Sequence, residues 1–141
     1  MRLEFMRKTD LALSALTRLA ETGDLVHGAD LAEALHTTTQ FMPHVLGPLV
    51  RAGWVTSLPG PRGGYRLAAD LEKRSILEVI ELIEGPTDDG RCVLGGPCRT
   101  EVRCVAHDAW SEARNALLER LEATPVSTVH ENNNKTRRKR K

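Results

Sequence analysis

A mainly α fold carrying one small β-hairpin is predicted by three observations. Apolar residues recur at helical spacing through the first half of the chain, over residues 76–83, and again after residue 105. Two short β-prone runs flank the sequence PGPRGG. A glycine-rich stretch that holds all three cysteines separates the last two helical patterns. At 141 residues there is room for one compact domain with appendages, and a 40% hydrophobic fraction can furnish one core.

The first helix is expected over residues 9–22, capped by Thr9, with Leu11, Ala12, Ala15, Leu16 and Leu19 on one face and Gly23 at its end. A short helix over residues 28–35 turns Leu31, Ala32 and Leu35 inward. The run HTTTQ then supplies a turn and a new cap. A third helix carries Phe41, Val45, Leu49 and Val50 and closes at Gly53. Two helices joined by a short polar turn make a helix-turn-helix.

Residues 54–58 and 65–67 are strand-like, and PGPRGG between them favours a tight reversal, so the pair reads as a wing. Ser75 and Glu78 have the spacing of a capping box ahead of Ile76, Leu77, Val79, Ile80 and Ile83, and Gly85-Pro86 ends that helix. A long helix resumes from residue 105 to about 123. Its stripe of Ala109, Ala113, Ala116, Leu117 and Leu121 is more than a small domain can cover, which predicts packing against a second copy. The organisation read from this is a winged helix-turn-helix DNA-binding domain (1–84), a cysteine loop (85–104), a dimerisation helix (105–129) and a disordered basic tail (130–141).

Charge excludes little. The net charge is +1, but six of the last seven residues are basic, and without residues 131–141 the chain carries 14 basic and 18 acidic side chains. Any case for DNA therefore rests on local arrangement. No apolar run is long enough to span a bilayer, and the N-terminus lacks a secretory pattern, so a cytoplasmic location is expected. No nucleophile–base pair or phosphate loop is present, which weighs against an enzyme.

Cys92, Cys98 and Cys104 follow one another with five residues in each gap, and His107 follows Cys104 after two more, in C-V-A-H. An odd number of cysteines in a thirteen-residue window fits metal ligation better than a disulfide framework. Thiolates with an imidazole suit an iron-sulfur cluster, zinc or copper(I). Structural zinc favours tighter knuckles, so the wide glycine-rich gaps tip the reading toward a cluster, with a zinc-stabilised DNA-binding or interaction module as the alternative.

Taken together, RKTDLALSALTRLA, PGPRGGYRL, SILEVIELIEG and C-x₅-C-x₅-C before a long helix resemble the Rrf-two (BadM) family of winged-helix transcription regulators over nearly the whole ordered chain. The resemblance implies a homodimer on a roughly palindromic operator, with an iron-sulfur cluster as sensor of redox, nitric oxide or iron-sulfur status. In the branch of iron-sulfur assembly regulators, the fourth ligand of a two-iron cluster is a histidine two residues past the third cysteine, matched by His107. In the nitric oxide-sensing branch, a four-iron cluster takes an aspartate from a T-D-L-A-L context, matched by Asp10. Both signatures are present; the two-iron cluster with His107 is favoured and the four-iron cluster with Asp10 is the alternative. Asp10 also has an ordinary role, since a carboxylate in a first helical turn is stabilised by the macrodipole.

Helix-turn-helix geometry places Thr38, Thr39, Gln40 and His44 toward base edges, with Gln40 suited to an adenine, although Thr38 and Thr39 suit caps and phosphate contacts equally, and capping is the favoured single role for either. Arg51 is a candidate phosphate contact. Arg62, at the wing tip, is suited to a narrow minor groove. The chain departs from the family at Pro59, where an arginine is common, and at Pro43 and Pro48, which predict a short or kinked recognition helix.

Overall fold

The computed structural model describes residues 4–87, 92–96 and 103–129. Among them the chain forms α1 (Arg7–Thr22), α2 (Gly28–Ala34), α3 (Met42–Arg51), β1 (Val55–Leu58), β2 (Gly64–Leu67), α4 (Ile76–Glu84) and α5 (His107–Glu122). Helices α1, α3 and α4 pack on one another, and α5 lies against α4.

The core is set by the apolar face of α1, where Leu11, Ala12, Ala15, Leu16 and Leu19 are buried against Met42, Val45, Leu46 and Leu49 of α3 and Val79 of α4. Fully burying a leucine or valine side chain contributes about 1.5–3 kcal/mol, so this three-helix contact is the main source of stability. Leu31 and Ala32 add the buried side of α2, and Trp54 and Val55 anchor the hairpin.

Gly23 closes α1 in the left-handed conformation, φ 68°, with its N–H on the Leu19 carbonyl. The capping box also forms as expected: Ser75 Oγ accepts from Glu78 N at 3.2 Å, and Glu78 Oε2 accepts from Ser75 N at 2.7 Å. Two expected caps do not form. Helix α1 starts two residues early, Met6 flanks it, and Thr9 is fully buried in the first turn with its hydroxyl donated to Glu84 at the end of α4. At α3 the flanking residue is Phe41, with no side-chain cap; the threonines contribute only backbone, the Phe41 N–H donating to the Thr38 carbonyl. Pro43 falls in the first turn, where its missing N–H costs nothing, and α3 accommodates Pro48 and runs ten residues.

The hairpin is antiparallel, pairing Val55 with Leu67 and Leu58 with Gly64. After α5 the chain returns to the core in a way the sequence patterns do not reveal. Ile76 N donates to Thr124 O, Val126 N donates to Arg74 O, and Val126 is fully buried. Residues 124–129 thus belong to the packed body, beyond the end of the helix at Glu122.

Candidate DNA interface and metal centre

Helix α2, the turn and α3 leave an exposed polar edge. Thr38, Thr39 and Gln40 are exposed in the turn, His44 in the first turn of α3, and Arg51 at its end. Buried Met42, Val45 and Leu49 hold the opposite side of α3 in the core, so the exposed edge is rigidly presented.

The wing is fastened to the rest of the domain at its base. Val26 and Tyr65 exchange both backbone hydrogen bonds, each 2.8 Å, which places the segment before α2 beside β2. That approach requires glycine at position 64, where a Cβ, at φ 157°, would stand 2.2 Å from the Val26 carbonyl oxygen; within the hairpin itself, a Cβ at Gly63 would stand 2.0 Å from the Leu58 carbonyl oxygen. His27 Nδ1 lies 2.6 Å from the Gly63 carbonyl oxygen. On the same strand, β2, Arg66 pairs with Asp24 at 3.0 Å, and the Asp24 carboxyl is held below the usual carboxylate range by the Leu25 N–H and then by Arg66. Arg62 stands exposed at the turn. Between wing and helix-turn-helix runs an open cleft bordered by His27, Asp30, Thr39, Ser57, Pro61 and Tyr65. Sequence reasoning passed over His27; its position beside the wing depends on a contact 36 residues away.

Of the expected metal ligands, Cys92 and Cys104 come together with Sγ atoms 3.4 Å apart. That is too far for a disulfide, whose sulfurs stand about 2.05 Å apart. Cys92 sits in a turn with Gly95 and Gly96 at φ 90° and 81°, its carbonyl accepting from Gly95 N and its N–H donating to Gly96 O. His107 opens α5, one turn past Cys104, and its N–H donates to the Cys104 carbonyl at 3.0 Å. Asp10 is exposed in the first turn of α1. Cys98 lies outside the described residues, and among those described no group of three His, Cys, Asp or Glu side chains is assembled to hold a metal ion.

A helix-turn-helix with an exposed polar edge, followed by an arginine-tipped hairpin, defines a winged-helix regulator. The chain belongs to the Rrf2 family, described as iron-dependent transcriptional regulators, whose family model matches residues 5–132. A candidate HTH-type transcriptional regulator of Neisseria meningitidis serogroup A is 29% identical over 123 residues, covering 87% of this chain and 82% of the relative. The regulator IscR of Vibrio vulnificus strain YJ016 is 32% identical over 93 residues, covering 66% of this chain and 55% of IscR. In structure the chain is similar to CymR, the global cysteine regulator of B. subtilis, with TM-score 0.76, 20% identity and coverage of 92% and 98%. It is also similar to T. potens IscR, with TM-score 0.70, 18% identity and coverage of 92% and 88%. These last two likenesses establish the fold. No helix among the described residues is long and apolar enough to cross a membrane.

Proposed function

We propose that this regulator is a cytoplasmic homodimer whose affinity for operator DNA is set by an iron-sulfur cluster bound through Cys92, Cys98 and Cys104. The observation that carries the reading is the approach of Cys92 and Cys104 across twelve residues of sequence to 3.4 Å. Two thiolates on one tetrahedral metal, each about 2.3 Å from it, stand about 3.8 Å apart, so the pair is within a small adjustment of joint ligation. The donor set fits a thiophilic centre, and the family description as iron-dependent agrees with it. His107 or Asp10 completes the set. A bound cluster supplies a centre that oxidation, nitrosylation or loss of iron can alter.

The protein's part is to transmit that change. The cysteine segment is bounded by Glu84 at the end of α4 and by His107 at the start of α5. Glu84 accepts from Thr9 and from Met6 N, tying the segment's entry to the DNA-binding domain. Its exit leads into a helix with no buried residue, on which Ala109, Ala113, Ala116 and Leu117 stay exposed. A second copy covering that stripe makes the dimer, and reordering between the two ends changes the spacing of two DNA-binding domains. About 1.4 kcal/mol of such coupling alters affinity tenfold.

Anaerobic purification tests this directly. Brown protein with visible charge-transfer absorption, iron and acid-labile sulfide is expected. Colourless protein containing stoichiometric zinc would replace the reading with a zinc-stabilised DNA-binding module that senses no redox signal.

A further inference from the structure

We propose that His27 is a proton-dependent phosphate clamp, gripping the DNA strand that passes between the recognition turn and the wing. The proposal rests on the reading that this chain binds duplex DNA, and deepens it. A protein that places Thr39 and Gln40 in a major groove and Arg62 in the adjacent minor groove straddles the one phosphodiester backbone separating those grooves. That backbone must cross the gap between turn and wing. The gap is the cleft bordered by Thr39 on one side and Pro61 on the other, and His27 stands on its wall.

The ring's chemistry follows from its one defined bond. The Gly63 carbonyl can only accept, so Nδ1, 2.6 Å away, carries the proton. In the neutral ring the other nitrogen, Nε2, is then an acceptor, and presents a lone pair to any phosphate oxygen in the cleft. Only the imidazolium donates from both nitrogens at once, one to Gly63 and one to phosphate. DNA binding and protonation of His27 therefore favour each other. The carbonyl bond also pins the ring to the wing, so the clamp and Arg62 move as one body. Glycine at position 64, where a Cβ would collide with Val26 and crowd His27, is what lets the wing come close enough for this bond.

Other charged groups around the ring do not supply the same effect. Asp30, from α2, borders the cleft and opposes a phosphate whatever the state of His27. Tyr65, from β2, has its phenol pushed above the usual value by burial and stays neutral. Asp24 and Arg66 neutralise each other beside it. Arg62 on the wing turn is cationic throughout. His36 and His44 are exposed on the helix-turn-helix and are retained in the variant used below.

The test uses full-length protein and a fluorescein-labelled duplex selected by the wild type from a randomised library, with affinity measured across pH and salt. His27→Asn keeps an N–H where Nδ1 stands and a good helix-flanking residue, but has no second, titratable nitrogen. Wild type should bind roughly tenfold more tightly at pH 6 than at pH 8, with a log–log salt slope steeper by about 0.9 for each clamp at the lower pH. In His27→Asn that component of both dependences should vanish while affinity at pH 8 stays close to wild type. Identical pH and salt profiles for the two proteins would overturn the clamp with DNA binding intact. Selection that recovers no duplex, with the variant and wild type alike, would instead overturn the DNA reading on which the clamp rests.

Discussion

The hydroxyl of Thr9, in the first turn of α1, donates to the carboxylate of Glu84, the last residue of α4, across 75 residues of sequence. The same oxygen accepts the Met6 N–H at 3.1 Å. Thr9 is fully buried, and Glu84 is the last helical residue before the cysteine segment. One side chain thus fixes both the start of α1 and the entry to the candidate metal centre.

Replacing Thr9 with valine keeps its shape and removes the donor. A hydrogen bond to a charged group contributes about 1.5–3 kcal/mol, so the melting temperature of Thr9→Val should fall by roughly 5–10 °C, while Thr9→Ser stays within a few degrees of wild type. Equal melting of all three proteins in a calorimeter would remove this bond from the stability of the fold.

Val126 lies four residues past the end of α5 yet is fully buried beside the start of α4. Val126→Ala should cost on the order of 2 kcal/mol by urea denaturation, through lost burial and the cavity left behind. Ending the chain after Glu122 should cost more, because it also removes the Thr124 carbonyl that accepts from Ile76 and the Val126 N–H donated to Arg74. A truncated protein as stable as the full chain would contradict the packing of residues 124–129.

These two sites mark where the sequence stops being legible. Signals carried by neighbours in the chain were read correctly: Gly23 at the end of α1, Ser75 with Glu78 as a capping box, and PGPRGG as the hairpin turn each act through contacts within a few residues. Thr9, Thr38 and Thr39 have the right chemistry for caps, but tertiary packing draws Thr9 to Glu84, and Thr38 and Thr39 stay exposed in the turn while Phe41 flanks α3. Val126 gives no periodic signal, because a single valine in a short return has no partner spacing to reveal it. His27 met no motif, since its bond to Gly63 exists only once the wing has folded back on α2. In the candidate metal centre the cysteine spacing was plain, but which ligand completes the set depends on geometry between distant segments.

Arg62 is exposed at the tip of a wing whose base is held by backbone bonds and by His27. Arg62→Ala should weaken operator binding by roughly 1–3 kcal/mol in an anisotropy titration, with the loss concentrated on the preferred sequence. Deleting residues 131–141 should differ in kind, lowering affinity for all duplexes alike and flattening the salt dependence. Unchanged operator affinity in Arg62→Ala would take the wing out of the interface.

Among the described residues, none that forms the core is a cysteine. Cys92→Ala, Cys98→Ala and Cys104→Ala should each yield folded, colourless protein with wild-type far-ultraviolet circular dichroism. Three variants that keep the wild-type visible spectrum would refute the metal assignment.

The fourth ligand separates two kinds of sensor, and the structure bears on each. His107 stands one helical turn beyond Cys104 and its backbone is bonded to that residue, so a modest change of side-chain rotamer and loop can bring the imidazole toward the thiols. Asp10 is far away in sequence, yet its neighbour Thr9 is bonded to Glu84, which places the first turn of α1 at the entry to the cysteine segment. Its carboxylate already has a role in the macrodipole of α1, and that role persists without a metal. Local linkage to Cys104 favours His107 and a two-iron cluster. Iron and sulfide per subunit, with Mössbauer spectra of wild type, His107→Ala and Asp10→Ala prepared anaerobically, decide the matter. Two irons per subunit, with a spectrum altered in His107→Ala and preserved in Asp10→Ala, is the expected result. Four irons, with Asp10→Ala the disruptive change and His107→Ala silent, would assign the cluster to the aspartate-ligated type and make α1 itself part of the sensor.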